Sequence, residues 1–180
     1  PAGLEPVQAR GGNLYFRTRA GAEGLFSKTN PRNTAWAKTT FYAPKAGTMY
    51  AMVGFDAPAR STRRCSGVPA AGEWSQCGTR IWVNGKEVKN PQTYKLAGQR
   101  RYEKHTWNSP DNEISFDNEE FWWARPPIPF QVKAGENTIL IEQPYTGNFQ
   151  SWGVSFIPVK KSGDRWIADP SYYLKNKGEK

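Results

Sequence analysis

The sequence has little of what membrane helices, zinc sites and helical folds require. No run of 18 apolar residues occurs, so no transmembrane helix is expected. The two cysteines and the single histidine, His105, are too few and too far apart for a four-ligand zinc site. No long stretch has a helical hydrophobic period, which excludes a helical bundle and a barrel of alternating strands and helices.

Aromatic and turn-forming residues are abundant instead. The 180-residue chain has 8 Trp, 8 Tyr and 9 Phe, although hydrophobic residues make up only 37% of it. Its 17 Gly and 14 Pro are dispersed, which indicates many short strands joined by turns. The net charge of +9 lies mostly in loops and near the C-terminus, with no basic recognition helix, so we interpret it as solvated surface rather than a nucleic-acid interface.

The two cysteines, Cys65 and Cys77, lie in the segment "RRCSGVPAAGEWSQCGTR". We favour a disulfide, which for a loop of this length contributes about 3 kcal/mol. Two unpaired buried thiols are the alternative. A disulfide implies an oxidising location: periplasmic, cell-surface or secreted. The chain begins without methionine or an apolar leader, so we expect a fragment of a larger protein, with a mature processed product as the alternative.

Short alternating segments between turn signals predict about eight strands. The clearest is "TRIWVNGKEV", in which Asn84-Gly85 predicts a two-residue hairpin turn. The fold class predicted is all-β, an antiparallel β-sandwich or jelly roll. We expect a flexible segment at 1–10, one domain over 11–160, and an irregular tail over 161–180 that folds back through Trp166 and Tyr172. The predicted strand segments are 13–19, 35–44, 47–57, 79–88 (a hairpin), 130–143 (two strands) and 150–159.

Several phrases occur in a recognisable order: "GGNLYFRTR", "NTAWAKTTFYAPKAGTMYAMVGFD", "GEWSQCGTRIWVNGKEV", "FWWARPPIPFQVKAGENTILIE" and "WGVSFIPV". Together they resemble the C-terminal β-sandwich of bacterial glycoside hydrolase family 20 β-N-acetylhexosaminidases, especially those of Bacteroidetes. The resemblance covers about residues 11–160. The matching positions are Gly11, Gly12, Tyr15, Arg17, Asn33, Thr34, Ala35, Arg60, Ser61, Gly72, Trp74, Ile81, Trp82, Asn84, Gly85, Asn118, Glu119, Arg125, Pro126, Pro127, Pro129, Gly135 and Asn137.

This resemblance implies a galactose-binding-like fold that serves as a non-catalytic carbohydrate-binding module. Its partners would be a glycan and the catalytic (β/α)₈ barrel of the same polypeptide. Three departures fall in loops, where binding domains set specificity. They are "AGEN" without the family's tryptophan, "NP" followed by an insertion-like segment, and the two cysteines with their neighbouring arginines.

Sugar binding requires flat aromatic surfaces and strong hydrogen-bonding groups. Trp36, Trp82 and Trp152 lie in alternating strands and are predicted to be core. Trp74 either contacts ligand or plugs the sandwich end, and one of Trp122 and Trp123 is expected to pack inward while the other reaches the loops. The candidate platforms are Trp74, Trp107, Trp122 and Tyr145, and the candidate polar partners are Asp56, Arg60, Arg63, Arg64, Asn118, Glu119 and Arg125.

Other hypotheses remain open at this stage. Oxygen-bearing side chains at Asp111, Asp117 and Asn118 could hold a structural calcium ion, although no spaced motif supports it. No other cofactor is expected, and the loop carboxylates do not indicate catalysis. The chain could instead be a structural domain packed on a hexosaminidase barrel, or a basic module that binds acidic polysaccharide. The basic residues for the last role would be Arg63, Arg64, Arg100, Arg101 and Lys104.

Overall fold

The computed structural model describes residues 7, 12–17, 34–56, 70–75, 78–92, 127–144 and 152–172. Within these ranges, no helix has the length and apolar character needed to cross a membrane. A 3₁₀ turn follows the last strand at Pro170–Tyr172. The strands are β1 (Asn13–Arg17), β2 (Thr34–Ala43), β3 (Gly47–Asp56), β4 (Arg80–Val83), β5 (Lys86–Val88), β6 (Ile128–Val132), β7 (Gly135–Pro144), β8 (Trp152–Ser162) and β9 (Arg165–Ala168).

The strands form two antiparallel sheets. The first sheet has the order β1-β8-β3-β6, and β9 pairs with the C-terminal part of β8. The second sheet has the order β2-β7-β4-β5. The predicted all-β antiparallel sandwich is therefore confirmed, while the finer jelly-roll and galactose-binding-like assignments remain predictions.

Alternation along the strands explains why the sheets pack together. Every second residue of β3 from Met49 to Phe55 is buried, and β7 likewise buries Ile139 and Ile141. Buried residues of both sheets belong to one hydrophobic cluster. At its centre the Phe130 ring stacks on Trp74 at 5.8 Å, which joins the segment before the hairpin to the first sheet.

The β4–β5 hairpin turns at Asn84-Gly85, as the sequence predicts. Asn84 has φ of 51° and Gly85 has φ of 80°. Two consecutive left-handed residues define a type I′ turn, whose twist matches that of the flanking strands. Asparagine and glycine are the residues that adopt this conformation at least cost.

A buried asparagine links this hairpin to the β6–β7 turn. Asn137, only 1% exposed, accepts a hydrogen bond from the Asn84 side-chain amide at 2.9 Å. Its own amide donates to the carbonyls of Lys133 and Gly135, and its oxygen also accepts from the Lys133 backbone N–H. The "KAGEN" segment therefore forms a turn closed by its last residue.

Gly12 permits the close approach of the chain to β8. Its carbonyl accepts a hydrogen bond from the Phe156 backbone N–H at 2.8 Å. A Cβ atom at this position would lie 2.8 Å from the Phe156 carbonyl oxygen, inside van der Waals contact. The glycine is thus required by packing against backbone, which cannot rotate away as a side chain can.

The C-terminal part differs from the irregular tail predicted over 161–180. Strand β8 continues to Ser162, the chain turns at Gly163-Asp164, and β9 returns along β8. The predicted folding back is present, because Trp166 contacts the Tyr50 ring and Tyr172 contacts the Phe41 ring. Residues 173–180 lie outside the described part of the chain.

Candidate functional site

Most predicted site residues lie outside the described residues, so their predictions stay untested. Asp56 ends β3, but nothing is described of its side chain. The outside set comprises Arg60, Arg63, Arg64, Trp107, Asn118, Glu119, Trp122, Trp123, Arg125 and Tyr145, the cysteines Cys65 and Cys77, the calcium candidates Asp111 and Asp117, and the basic residues Arg100, Arg101 and Lys104.

Trp74 takes the structural one of its two predicted roles. Its side chain is 3% exposed and stacks almost parallel on Phe130, with 6° between the ring planes. Its indole N–H donates to the Val88 carbonyl at 2.7 Å. Both the ring and the polar edge are therefore occupied within the protein, as expected of a core plug rather than an exposed sugar platform.

The core prediction for Trp36 and Trp82 was wrong, because both lie on the outer face of the second sheet. The buried neighbours of Trp82 are Ile81 and Val83, so by alternation Trp82 shares its face with Arg80. In β2 the small Ala35 points inward and Trp36 points outward. Trp152 belongs to β8, and its side chain is not among those described.

Register places these tryptophans on either side of the central strand β7. Trp36 and Arg80 both pair with Glu142, and Lys38 and Trp82 both pair with Leu140. The two indoles approach across β7 to 5.7 Å between ring centroids, with 30° between planes. We call Trp36, Arg80, Trp82, Leu140 and Glu142 the outer-sheet patch.

An ion pair holds one side of the outer-sheet patch. The Arg80 Nε lies 2.5 Å from a Glu142 carboxylate oxygen, and its guanidinium lies 4.9 Å from the centre of the Trp82 ring. The hydrogen bond to Glu142 raises the pKa of Arg80 above its ordinary value. An exposed pair like this contributes little to stability, so its structural effect is to fix the guanidinium beside the tryptophan.

A second ion pair borders the patch on strand β5. Glu87 is the register partner of Trp82, and Lys89 donates a hydrogen bond to its carboxylate at 2.7 Å. This hydrogen bond lowers the pKa of Glu87. Beyond it lies a recess of about 390 Å³, whose lining includes Glu73, Arg80, Glu87 and Lys89. The aromatic centre is thus bordered by fixed charges of both signs.

The patch combines partly exposed aromatic surface with hydrogen-bond donors. Both tryptophans are only half-buried, and neither indole N–H has a hydrogen-bond acceptor among the residues that the structure describes. Arg80 is 48% exposed at its side chain and uses one of its five N–H donors on Glu142. Stacking area and unused donors therefore lie side by side.

The signal for this patch was present in the sequence "RIWV". Strict alternation pairs Ile81 with Val83 on one face and Arg80 with Trp82 on the other, and the face with isoleucine and valine belongs inside. The sequence interpretation predicted Trp82 to be core because it lies in an alternating strand. It did not weigh that Arg80 would then be buried as well.

Comparisons with known proteins identify no relative of this chain, so the function has to be inferred from the geometry of the site. No protein-family model matches the chain, and no curated protein or solved structure matches it.

Proposed function

We propose that this chain is a non-catalytic carbohydrate-binding accessory module of a glycoside hydrolase, and that the outer-sheet patch contacts the glycan. The observation that carries the proposal is the stacked, half-buried pair Trp36–Trp82 on the outer face of the second sheet, beside an arginine held by Glu142. Aromatic rings shield the apolar face of a pyranose from water, and tryptophan offers the largest such surface.

Within the pair, Trp36 is the better platform for a sugar ring. Trp82 is contacted by both Trp36 and the Arg80 guanidinium. Trp36 has one aromatic contact among the described residues, which is Trp82 itself. We therefore assign the stacking contact to Trp36 and a supporting role to Trp82.

Polar recognition falls to Arg80 and to the neighbouring charged groups. Charge-assisted hydrogen bonds to hydroxyls are stronger than neutral ones, and Arg80 is pre-oriented by Glu142. Exposed Lys38 lies in the same row as Leu140 and Trp82. An ordered donor loses less conformational freedom when the ligand binds, which favours affinity.

The carboxylates of this region support binding rather than catalysis. Glu142 accepts a hydrogen bond from Arg80, and Glu87 accepts one from Lys89. Each carboxylate is thus engaged by a neighbouring cation and forms part of the polar border of the patch. The proposal accordingly places the hydrolytic reaction in another domain of the parent polypeptide.

The test is glycan-array screening of the full chain, followed by calorimetric titration with the best neutral oligosaccharide. Trp36→Ala removes the stacking surface and should weaken binding by at least about tenfold. Arg80→Gln should weaken it by less, because one of several hydrogen-bonding groups is lost. Circular dichroism of each variant should match that of the unmodified chain, since both side chains lie on the outer face.

A matched control lies on the same strand and face. Tyr42 is 38% exposed and pairs with Glu136 at the opposite end of β2, so Tyr42→Ala should leave affinity unchanged. Binding that persists in Trp36→Ala would refute the assigned site. Failure of every glycan on the array to bind, neutral or acidic, would refute the function itself and favour a domain whose aromatic face packs against the catalytic barrel.

A further inference from the structure

A second surface with aromatic and basic groups lies on the first sheet, where two strands separate. Strands β3 and β8 pair from Asp56↔Gly153 to Tyr50↔Val159. Their register pairing ends there, although β3 extends back to Gly47 and β8 continues to Ser162. The separation leaves a depression of about 210 Å³, which we call the β3–β8 cleft.

Aromatic rings line the outer side of this cleft. Tyr50 and Trp166 lie 5.2 Å apart between ring centroids, with 45° between their planes. Tyr50 is 40% exposed, and Trp166 is half-buried on the paired strand β9. The volume is smaller than the roughly 300 Å³ at which drug-sized ligand sites begin. It suits a group no larger than one sugar ring.

Among the described residues, the charges of the cleft give Lys160 a carboxylate partner and Lys161 none. Lys160 lies 3.8 Å from the Asp169 carboxylate, and that carboxylate also accepts hydrogen bonds from the Ser171 N–H and hydroxyl. Lys161 lies 5.6 Å from the centre of the Trp166 ring. Its ammonium has no carboxylate partner among the residues the structure describes. An anion on the ligand would supply the missing charge.

We infer that the β3–β8 cleft binds one carboxylated sugar unit, such as a uronic acid residue of an acidic glycan. The ring would pack against Trp166 and Tyr50, and the carboxylate would accept hydrogen bonds from Lys161. With Lys160 beside Asp169, the Lys161 ammonium and the Tyr50 and Trp166 rings match the single charge and the flat apolar face of such a unit. This inference is independent of the outer-sheet patch, which lies on the other sheet.

The probe is trigalacturonate, and its matched control is the methyl-esterified trisaccharide, which keeps the ring and loses the charge. Calorimetric titration of the full chain should show binding of the acid and at least about tenfold weaker binding of the ester. Lys161→Gln should reduce affinity for the acid by a similar factor and leave affinity for the ester unchanged. Affinity for the acid should fall as salt is added.

Two further variants separate this site from the patch. Trp166→Phe removes one indole N–H signal from the proton–nitrogen spectrum, and the signal so identified should shift when trigalacturonate is added to the unmodified chain. Trp36→Ala should leave trigalacturonate binding unchanged. Lys86→Gln, an exposed lysine at the β4–β5 turn, controls for net charge and should also have no effect.

Several outcomes would overturn the inference. These are equal binding of acid and ester, an unaffected Lys161→Gln variant, or no binding of the acid. If a sulfated oligosaccharide bound and trigalacturonate did not, the ligand would not be a carboxylated sugar. Tighter binding of single-stranded oligothymidylate, abolished by Trp166→Ala, would assign the cleft to nucleic acid, since bases also stack on aromatic rings beside cations.

Discussion

At the scale of single residues, tryptophans in and beside the second sheet have different roles. Trp74 is enclosed and hydrogen-bonded to the Val88 carbonyl, so it stabilises the fold. Trp36 and Trp82 contact each other on an outer face, where neither ring is needed to fill the core. Residue type therefore does not decide the role here. Strand alternation places Trp36 and Trp82 on the outer face, whereas Trp74 lies in the segment before β4 and packs inward against Phe130.

Tyr172 gives a residue-scale prediction about alkaline pH. Burial, followed by the negative charge of Asp169, raises the pKa of its phenol above the ordinary 10.0. The folded chain thus holds this proton more tightly than the unfolded chain, and the stabilisation is complete below pH 10 and is lost as pH rises through the folded pKa. Tyr172→Phe removes this titration but keeps the contact with Phe41.

The measurement is urea unfolding of both proteins between pH 8 and pH 11. The free energy of unfolding of the unmodified chain should fall relative to Tyr172→Phe above about pH 10. The difference between the two isolates Tyr172, because the lysines and other tyrosines titrate in both. A difference that stays constant across this range would contradict the assignment.

At the scale of elements, one asparagine joins two turns that are far apart in sequence. Asn137 and Asn84 are linked directly, and Asn84 further exchanges hydrogen bonds with the Thr138 backbone. Asn137→Ala leaves the Lys133 and Gly135 carbonyls without this donor in a buried setting. The variant should lose about 2–4 kcal/mol in the free energy of unfolding, measured in urea.

The exposed neighbour Glu136 provides the control for this change. Glu136→Ala removes only a long hydrogen bond from Tyr42, at 3.3 Å, and should alter stability by less than about 0.5 kcal/mol. Equal losses from both variants would mean that the turn, rather than the asparagine network, carries the effect.

Most strands could be predicted from the sequence because their signals are local. The Asn84-Gly85 turn and the alternation of β3 are complete within about ten residues. Strand β9 was missed, although Gly163-Asp164 is a two-residue turn, because "RWIA" is short and both Trp166 and Ile167 remain partly or largely exposed. A strand that buries little on either face leaves no hydrophobic period to detect.

The candidate sites were harder to predict because they depend on partners distant in sequence. The outer-sheet patch requires Trp36, Trp82 and Glu142 to meet across β7. The β3–β8 cleft requires β8 to leave β3 after Val159. No local sequence pattern specifies the register of β2 against β7. None specifies the point at which β8 separates from β3 either. Sequence reasoning therefore turned to loop aromatics instead.

At the scale of the whole molecule, the single core predicts that both sheets unfold together. Phe130 of the first sheet stacks on Trp74 and contacts Phe156, and it is 1% exposed. Phe130→Ala should therefore lower the free energy of unfolding by about 3–5 kcal/mol. Because the cluster spans both sheets, amide hydrogen exchange should show the same loss in β7 as in β3 and β8.

Hydrogen exchange distinguishes a shared core from two separately stable sheets. In the unmodified chain, the slowest amides of β3, β7 and β8 should report one common free energy of opening. Ile167 is 43% exposed, so Ile167→Ala should not appreciably lower the free energy of opening of these amides in any of the three strands. If Phe130→Ala lowered protection in β3 and β8 but left β7 unchanged, the second sheet would be stable by itself. The outer-sheet patch would then depend on that sheet alone rather than on the assembled sandwich.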